Sequence, residues 1–347
     1  MTARTPRVSI IVPCRNERRH IAACLDSILA NEYPSDSLEI LVVDGASDDG
    51  TRDLLEEYAR NNGIIRWLDN PARTAPAALN IGIRNSHGDI VMRMDAHCRY
   101  PDDYIASLVN WLEVSGADNV GGAWRTLPGS DTSVARAIAA AMSHPFGVGN
   151  AKFRLGTTVP QWVDTVPFGC YRRSVFDRVG LFDEELVRNQ DDEFNQRLIQ
   201  SGGRILLVPD AKIDYYARDS IKNVVRMYYQ YGFFKPLAIR KLGRVGTVRQ
   251  AVPGGLVASL AILLALSPWV LLSRAAFVIL SIVYAAAVVI SSLHAGRRYG
   301  ASVSAWLLFV FPAIHFSYGI GSILGLVRFF LRSAPGPKDV SAVPISR

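Results

Sequence analysis

A chain of 347 residues is long enough for one large domain or two ordinary ones, and its formal net charge of +7 is unevenly placed. No charged residue occurs from Gln250 to Ser273, from Ala275 to Gly296 or from Tyr299 to Val327. That excludes a wholly soluble chain, because each stretch meets the roughly 20 apolar residues a helix needs to cross a hydrocarbon core. The four cysteines, Cys14, Cys24, Cys98 and Cys170, form no Cys-x-x-Cys pair, which excludes a disulfide framework and a zinc site.

In chain order, Met1 to Pro6 carries no secretory signal, so the soluble part is expected to be made, and to stay, in the cytosol. Val8 to Val12 is a continuous apolar run, as in a strand covered on both faces. Ile21, Cys24, Leu25 and Ile28 recur at helical spacing. Leu38 to Val43 is a second strand, Asp48-Asp49-Gly50-Thr51 opens a helix bearing Leu54, Leu55 and Tyr58, and Ile64 to Leu68 is a third strand. Ala77 to Ile83 predicts a short helix and Asp89 to Met94 a fourth strand. This rhythm implies an α/β fold with a parallel sheet and right-handed crossovers, whose ligands bind beyond the carboxyl ends of the strands.

Polar residues gather at those ends. Strand one leads to Pro13, Arg15, Asn16 and Glu17, strand two to Asp44, Ser47, Asp48 and Asp49, and strand four to Asp95 and His97. Asp95 and His97 leave the sheet together, as expected either of a polar turn or of two ligands facing a metal on a diphosphate. No Gly-x-Gly-x-x-Gly and no Walker-type Gly-Lys-Ser/Thr is present, which argues against a dinucleotide oxidoreductase and an NTPase. Further on, Val120 to Trp124 predicts a strand, Ser133 to Met142 a helix, and His144 to Gly156 a mobile loop. Gln190-Asp191-Asp192-Glu193 starts a helix, where three acids suit its dipole.

Between Arg218 and Arg249 eight basic residues face one acid, Asp219, with Tyr228, Tyr229, Tyr231, Phe233 and Phe234 interleaved. Such a segment fits nucleic acid or anionic headgroups. Its place immediately before an apolar stretch favours a helix lying on membrane lipids, with no nucleic acid partner.

Four segments resemble the family 2 glycosyltransferases with the GT-A fold, and among them the bacterial membrane-bound succinoglycan and exopolysaccharide enzymes. They are Val8-Ser9-Ile10-Ile11-Val12-Pro13-Cys14-Arg15-Asn16-Glu17, Ile40 to Thr51 with Val43-Asp44-Gly45, Gly88 to His97 in the place of D-x-D, and Gln190 to Leu198 in the place of E-D-x-D/E with its following Arg-Leu. The resemblance covers about Val8 to Arg240. It implies a GT-A, Rossmann-like and mostly parallel sheet followed by C-terminal transmembrane helices.

It also implies an inverting transfer from a nucleotide-sugar, UDP-linked in most of the family. Asp44 matches the acid that holds uracil, Pro13 and Glu17 line the nucleotide, Arg73 and Asn80 fall in the donor-site crossover, and Asp95 matches the ribose and metal residue. Asp191 matches the catalytic base. The cofactor implied is a divalent metal, Mn2+ or Mg2+, held by Asp95 and His97. His97 stands where the family has a second acid, and Gln190 where it has an acid before the base. No Gln-x-x-Arg-Trp is present, so one sugar is expected per encounter.

The expected organisation is a catalytic domain over 1–216, a basic amphipathic interfacial segment over 217–249, a transmembrane region over 250–332 with spans at 251–273, 275–294 and 303–327, and a tail over 333–347. The acceptor expected is a polyprenyl-linked glycan at the cytosolic face of the inner membrane. Arg297 and Arg298 favour a cytosolic loop, with a hairpin turning at Ser273-Arg274, while Pro312, Gly319, Gly321 and Gly325 permit a kinked third stretch. A polyprenyl-phosphate monosaccharide synthase and a non-catalytic membrane scaffold are the competing readings. The first needs no general base, and the second rests only on His97.

Overall fold

In the computed structural model, which describes residues 5–331, the apolar runs form strands where their burial requires it. The tail, with Arg332 and Lys338, lies outside the described residues. In chain order the elements are β1 (Val8–Cys14), α1 (Ile21–Leu29), β2 (Leu38–Asp44), α2 (Thr51–Asn61), β3 (Ile65–Asp69), α3 (Ala75–Arg84), β4 (Ile90–Arg93), β5 (Cys98–Arg99), α4 (Tyr104–Ser115) and β6 (Asn119–Leu127). Then follow α5 (Ser133–Met142), α6 (Pro145–Val148), α7 (Lys152–Leu155), β7 (Gln161–Trp162), β8 (Cys170–Arg172), α8 (Ser174–Val179), α9 (Gln190–Gln200), β9 (Ile205–Tyr216) and α10 (Ile221–Leu242). The chain ends in α11 (Val252–Leu266), α12 (Leu271–Gly296) and α13 (Ala301–Leu326). Two compact units result, one of Met1–Arg125 with Leu155–Tyr215 and the other of Thr126–Arg154 with Tyr216–Arg347.

The first unit is built on one sheet in the order β3-β2-β1-β4-β8-β6-β9-β5, with β7 added beside β9. Strands β3, β2, β1 and β4 are parallel, with Ile10 opposite both Ile40 and Met92. Ile10, Val12 and Ile40 through Val43 are fully buried, as central strands covered on both faces must be. From β8 onward the pairing is antiparallel, with Met92 opposite Cys170, Cys98 opposite Tyr215 and Gln161 opposite Leu207. The sheet is therefore mixed, and the expectation of a mostly parallel sheet holds only for its first half. The physical reason is that strict strand-helix alternation stops at Asp95, and later strands return without a crossover helix. All four cysteines are free and buried in this unit.

In the second unit, the segment expected to be a loop at 144–156 forms the short helices α6 and α7 instead. The turn expected at Ser273-Arg274 lies at 267–270, and Arg274 sits inside α12. Helix α11 has 15 residues, ~22 Å at 1.5 Å per residue, short of a hydrocarbon core of ~30 Å. Two helices are long and apolar enough to cross a membrane, Leu271–Gly296 and Ala301–Phe330. On α12, Leu272 and Ile290 keep 79% and 66% of their surface exposed, an apolar face that a water-soluble protein seldom leaves open.

Helix α10 corrects another expectation. Its apolar face, including Met227, Phe234 and Leu237, is buried, and its closest partner is α13 rather than a free surface. Lys222, Arg226, Arg240 and Lys241 remain exposed. The two helices approach at backbone distance. A Cβ on Gly232 would overlap the carbonyl oxygen of Tyr318, and one on Gly321 or Gly325 would overlap that of Tyr229 or Phe233. Gly232→Ala is expected to force the pair apart and lower stability by about 1–3 kcal/mol, the usual scale of overpacking. Thermal unfolding in detergent measures this, and an unchanged Tm would mean the close approach carries no energy.

Candidate active site

The first unit gathers its polar side chains at the carboxyl edge of the parallel strands. The loops after β1 and β2 are laced together. Asn16 N donates to Ser47 Oγ at 2.7 Å, Asn16 Nδ2 to Asp48 Oδ1 at 2.6 Å, and Asp48 N to Asn16 Oδ1 at 2.8 Å. Glu17 N donates to Thr51 Oγ1 at 2.9 Å. Asn16 and Ala46 take positive φ angles of 52° and 54°, the left-handed region that such tight turns demand.

Asp44, the last residue of β2, is fully buried. Its carboxylate accepts from Ser47 N at 3.0 Å, Ser47 Oγ at 2.5 Å and Arg52 Nε at 2.7 Å. A carboxylate offers about four acceptor positions, so about one remains. Arg52 also reaches Asp69 at 2.5 Å and lies 5.4 Å from the Trp67 ring. Arg73 sits in the exposed turn after β3 with φ at 58°, and that turn is tied to the same edge by Asn70 N donating to Asp44 O at 2.8 Å.

The centre of the site is a residue that the motif reading passed over. Arg93 ends β4, is buried, and holds both candidate catalytic acids. Its Nε donates to Asp95 Oδ1 at 2.7 Å and its Nη2 to Asp95 Oδ2 at 3.1 Å, while Nη1 donates to Asp191 Oδ1. The guanidinium lies 5.4 Å from the Phe168 ring, whose backbone φ is 47°. Burial alone would push the Arg93 guanidinium down, but Asp191 and Asp95 outweigh it and hold it above its ordinary value. For Asp191, burial pushes the carboxyl up, Arg93 opposes, Asp95 adds to the rise, and the net direction is upward.

Asp191 is presented by α9, whose first turn carries it beside Asp192 and Glu193. The helix is anchored below that turn. Glu193 pairs with Arg197 at 2.5 Å, Arg197 donates to the carbonyls of Val179 and Leu181 at 2.6 and 2.8 Å, and Asn195 donates to Thr165 Oγ1 at 2.8 Å. Asp95 is fixed from the backbone side, its amide donating to the Tyr100 hydroxyl at 2.6 Å.

His97 and Glu17 meet, with Nδ1 to Oε1 at 3.6 Å. The His97 ring lies 6.2 Å from Tyr215, which stacks on Trp124 at 4.1 Å, and Trp124 lies 5.4 Å from Phe168. These rings form an aromatic wall running from His97 to the ring beside Arg93. Among the described residues no three His, Cys, Asp or Glu side chains gather closely enough to hold a metal by themselves.

Pro13 and Glu17 are half-buried in the first loop, as expected of residues lining a ligand. Asn80 differs. It is buried, its Nδ2 donates to Phe182 O at 2.9 Å and Glu184 Oε1 at 2.8 Å, and its Oδ1 accepts from Phe182 N at 3.0 Å. That arrangement tethers the 182–184 segment to α3. Sequence reasoning missed Arg93, Asn16, Ser47 and Arg52. The available signal for Arg93 was a charged residue inside an otherwise apolar strand.

Sheet and site together define a glycosyltransferase of the GT-A type. Residues 9–180 match the family model Glycosyl transferase family 2. The chain is similar to succinoglycan biosynthesis protein ExoA of Rhizobium meliloti, 32% identical over 246 residues, which cover 70% of this chain and 73% of that one. It is also similar to the dolichyl N-acetyl-alpha-D-glucosaminyl phosphate 3-beta-D-2,3-diacetamido-2,3-dideoxy-beta-D-glucuronosyltransferase of Methanococcus voltae, 29% identical over 67% of this chain and 74% of that one. Among solved structures, a mannosyltransferase from Pyrobaculum calidifontis, in complex with GDP-Man and Mn2+, shares the fold with a TM-score of 0.58 and 21% identity, covering 92% of this chain and 88% of that one. The chain belongs to glycosyl transferase family 2. It is a glycosyltransferase related to enzymes of exopolysaccharide and glycan biosynthesis.

Proposed function

We propose that the enzyme moves a sugar, with inversion, from a UDP-sugar to a lipid-linked acceptor at the cytosolic face of the inner membrane, in exopolysaccharide or cell-surface glycan assembly. The observation that carries this reading is Arg93, which joins the candidate base Asp191 to Asp95 in one buried constellation. Asp44 accepts an N–H of the base once half-exposed Arg52 turns aside, and Pro13, Glu17 and Arg73 line the donor. Asp191 takes the proton of the acceptor hydroxyl as that oxygen attacks the anomeric carbon. The bond to the diphosphate breaks on the opposite face, so a UDP-α-sugar yields a β-linkage.

The residues also fit a divalent cation. Each Asp95 oxygen accepts one bond from Arg93 and keeps further lone-pair capacity, and His97 adds an imidazole. Two protein ligands with diphosphate oxygens completing the shell is how Mg2+ or Mn2+ is ordinarily held beside a nucleotide. Such a cation supplies charge to the leaving diphosphate. The Mn2+ named with the Pyrobaculum calidifontis structure supports the same reading.

A lipid-linked acceptor is supported by the dolichyl phosphate in the name of the Methanococcus voltae relative and by the exposed apolar face of α12. The test is a panel of UDP- and GDP-sugars with the purified full chain, assayed with a lipid extract containing glycan-linked polyprenyl diphosphates and, separately, with bare polyprenyl phosphate. Transfer from a UDP-sugar to the glycan-bearing lipid is expected. Transfer only to the bare lipid phosphate, indifferent to Asp191, would instead make the enzyme a polyprenyl-phosphate monosaccharide synthase.

A further inference from the structure

The second unit contains a cavity of about 520 Å³ that the chemistry above does not use. That volume lies within the ~300–1,000 Å³ of small-molecule sites. Helices α6, α11, α12 and α13 enclose it, and its wall is almost wholly apolar, with Phe146, Leu256, Leu280 and Ile314 representative of it. Deep in the wall His315 is fixed, Nδ1 against the Tyr284 hydroxyl at 3.0 Å and Nε2 against Phe146 O at 2.7 Å. Those contacts satisfy the ring's polar atoms and leave its carbon edges to line the space.

Among the described residues that line the cavity, Arg249 alone carries a formal charge. Its stem packs on Gly149, where an added Cβ would sit 3.4 Å from the Arg249 side chain, and its Nη1 donates to Asn150 Oδ1 at 2.6 Å. The guanidinium is therefore held in place beside the apolar space. A long hydrocarbon chamber with one fixed cation is complementary to a lipid with one anionic head and one chain. A free phosphate would leave the chamber empty, and a neutral apolar molecule would leave Arg249 facing it unmatched. The cavity has room for a single chain of a few isoprene units rather than for two acyl chains. Two of its walls, α12 and α13, are the helices long and apolar enough to cross a membrane, so a lipid chain reaches it without passing through water.

We propose that this cavity binds the phosphate-proximal isoprene units of a polyprenyl lipid, with the lipid's phosphate on Arg249. It deepens, and rests on, the reading of a lipid-linked acceptor, since it names the part of the acceptor this unit holds. Affinity would come from the buried chain, and the phosphate would fix how far the chain enters.

The test uses the full chain in detergent and a polyprenyl phosphate carrying a diazirine on its first isoprene units. Irradiation is expected to label residues of α6, α12 or α13 at the cavity. Ala287→Phe, which fills it, and Arg249→Gln, which removes the cation, should each lower labelling about tenfold or more, the scale of one lost charge-assisted contact. Neither residue belongs to the donor site, so UDP-sugar hydrolysis without acceptor should be unchanged in both and serves as the check on folding. Labelling elsewhere, or labelling that neither variant reduces, overturns the cavity assignment. If transfer to a glycan-bearing lipid proceeds normally in both variants and the cavity stays unlabelled, the acceptor reading stands and this site is wrong. If the cavity is labelled and no lipid-linked glycan is ever glycosylated, the site stands and the acceptor reading fails.

Discussion

Asp191→Asn is expected to lower sugar transfer by ~10²–10⁴, the usual contribution of a general base, while nucleotide binding stays close to that of the parent. Asparagine keeps the shape and an acceptor oxygen for Arg93 but cannot take a proton. The pH dependence has a definite sign. The base works as the carboxylate, and burial raises its pKa above the ordinary ~3.9 of an aspartate, so activity should fall on acidification at a pH higher than an exposed aspartate would give. The same shift acts on stability. The folded state holds the proton more tightly than the unfolded one, so the carboxylate form costs the native state something. That cost is absent below the ordinary aspartate pKa and is fully present above the raised one. Turnover on a hydroxyl acceptor and nucleotide titration together decide the matter. Near-normal turnover by Asp191→Asn would remove the base assignment.

The second large effect belongs to Arg93→Met. Methionine fills part of the volume but leaves Asp95 and Asp191 buried side by side without their cation. Breaking a buried ion pair by removing one partner costs on the order of 3–5 kcal/mol, and here one guanidinium serves two acids. Asp191 also loses the one interaction that opposes its upward shift, so the acid limb of the rate profile should move to still higher pH. Arg93→Lys keeps a charge but not the fork that reaches both carboxylates, and should fall between the two. Thermal unfolding and pH–rate profiles of both variants measure this. An unshifted limb with an unchanged Tm in Arg93→Met would mean that the triad has no energetic part in the site.

Much of this was legible because function follows strands closely in this fold. Asp44 and Asp95 stand at the ends of apolar runs, and the runs fix where they emerge. Asp191 was legible only through its motif, since its position depends on α9 being clamped by Glu193, Asn195 and Arg197. Arg93 was not legible as a partner, because the residue it joins to Asp95 lies 98 positions away. Asn80 lies in the expected segment, yet its amide is spent on the 182–184 backbone, a contact across 102 positions that no local pattern encodes. The apolar face of α10 posed a different difficulty. Periodicity reports that a face is buried and not what buries it, so bilayer and α13 looked alike. The glycines of α13 were the one hint, since they favour a helix neighbour at backbone distance over lipid.

The burial of Cys14, Cys24, Cys98 and Cys170 has an experimental consequence. Burial pushes all four thiols up, away from the thiolate form that reacts. The folded chain is thus chemically silent toward alkylating reagents without any engineering. A single cysteine introduced at Arg297 or Arg298 reports alone, on an otherwise native background, and an impermeant maleimide reads directly which side of the bilayer that loop occupies.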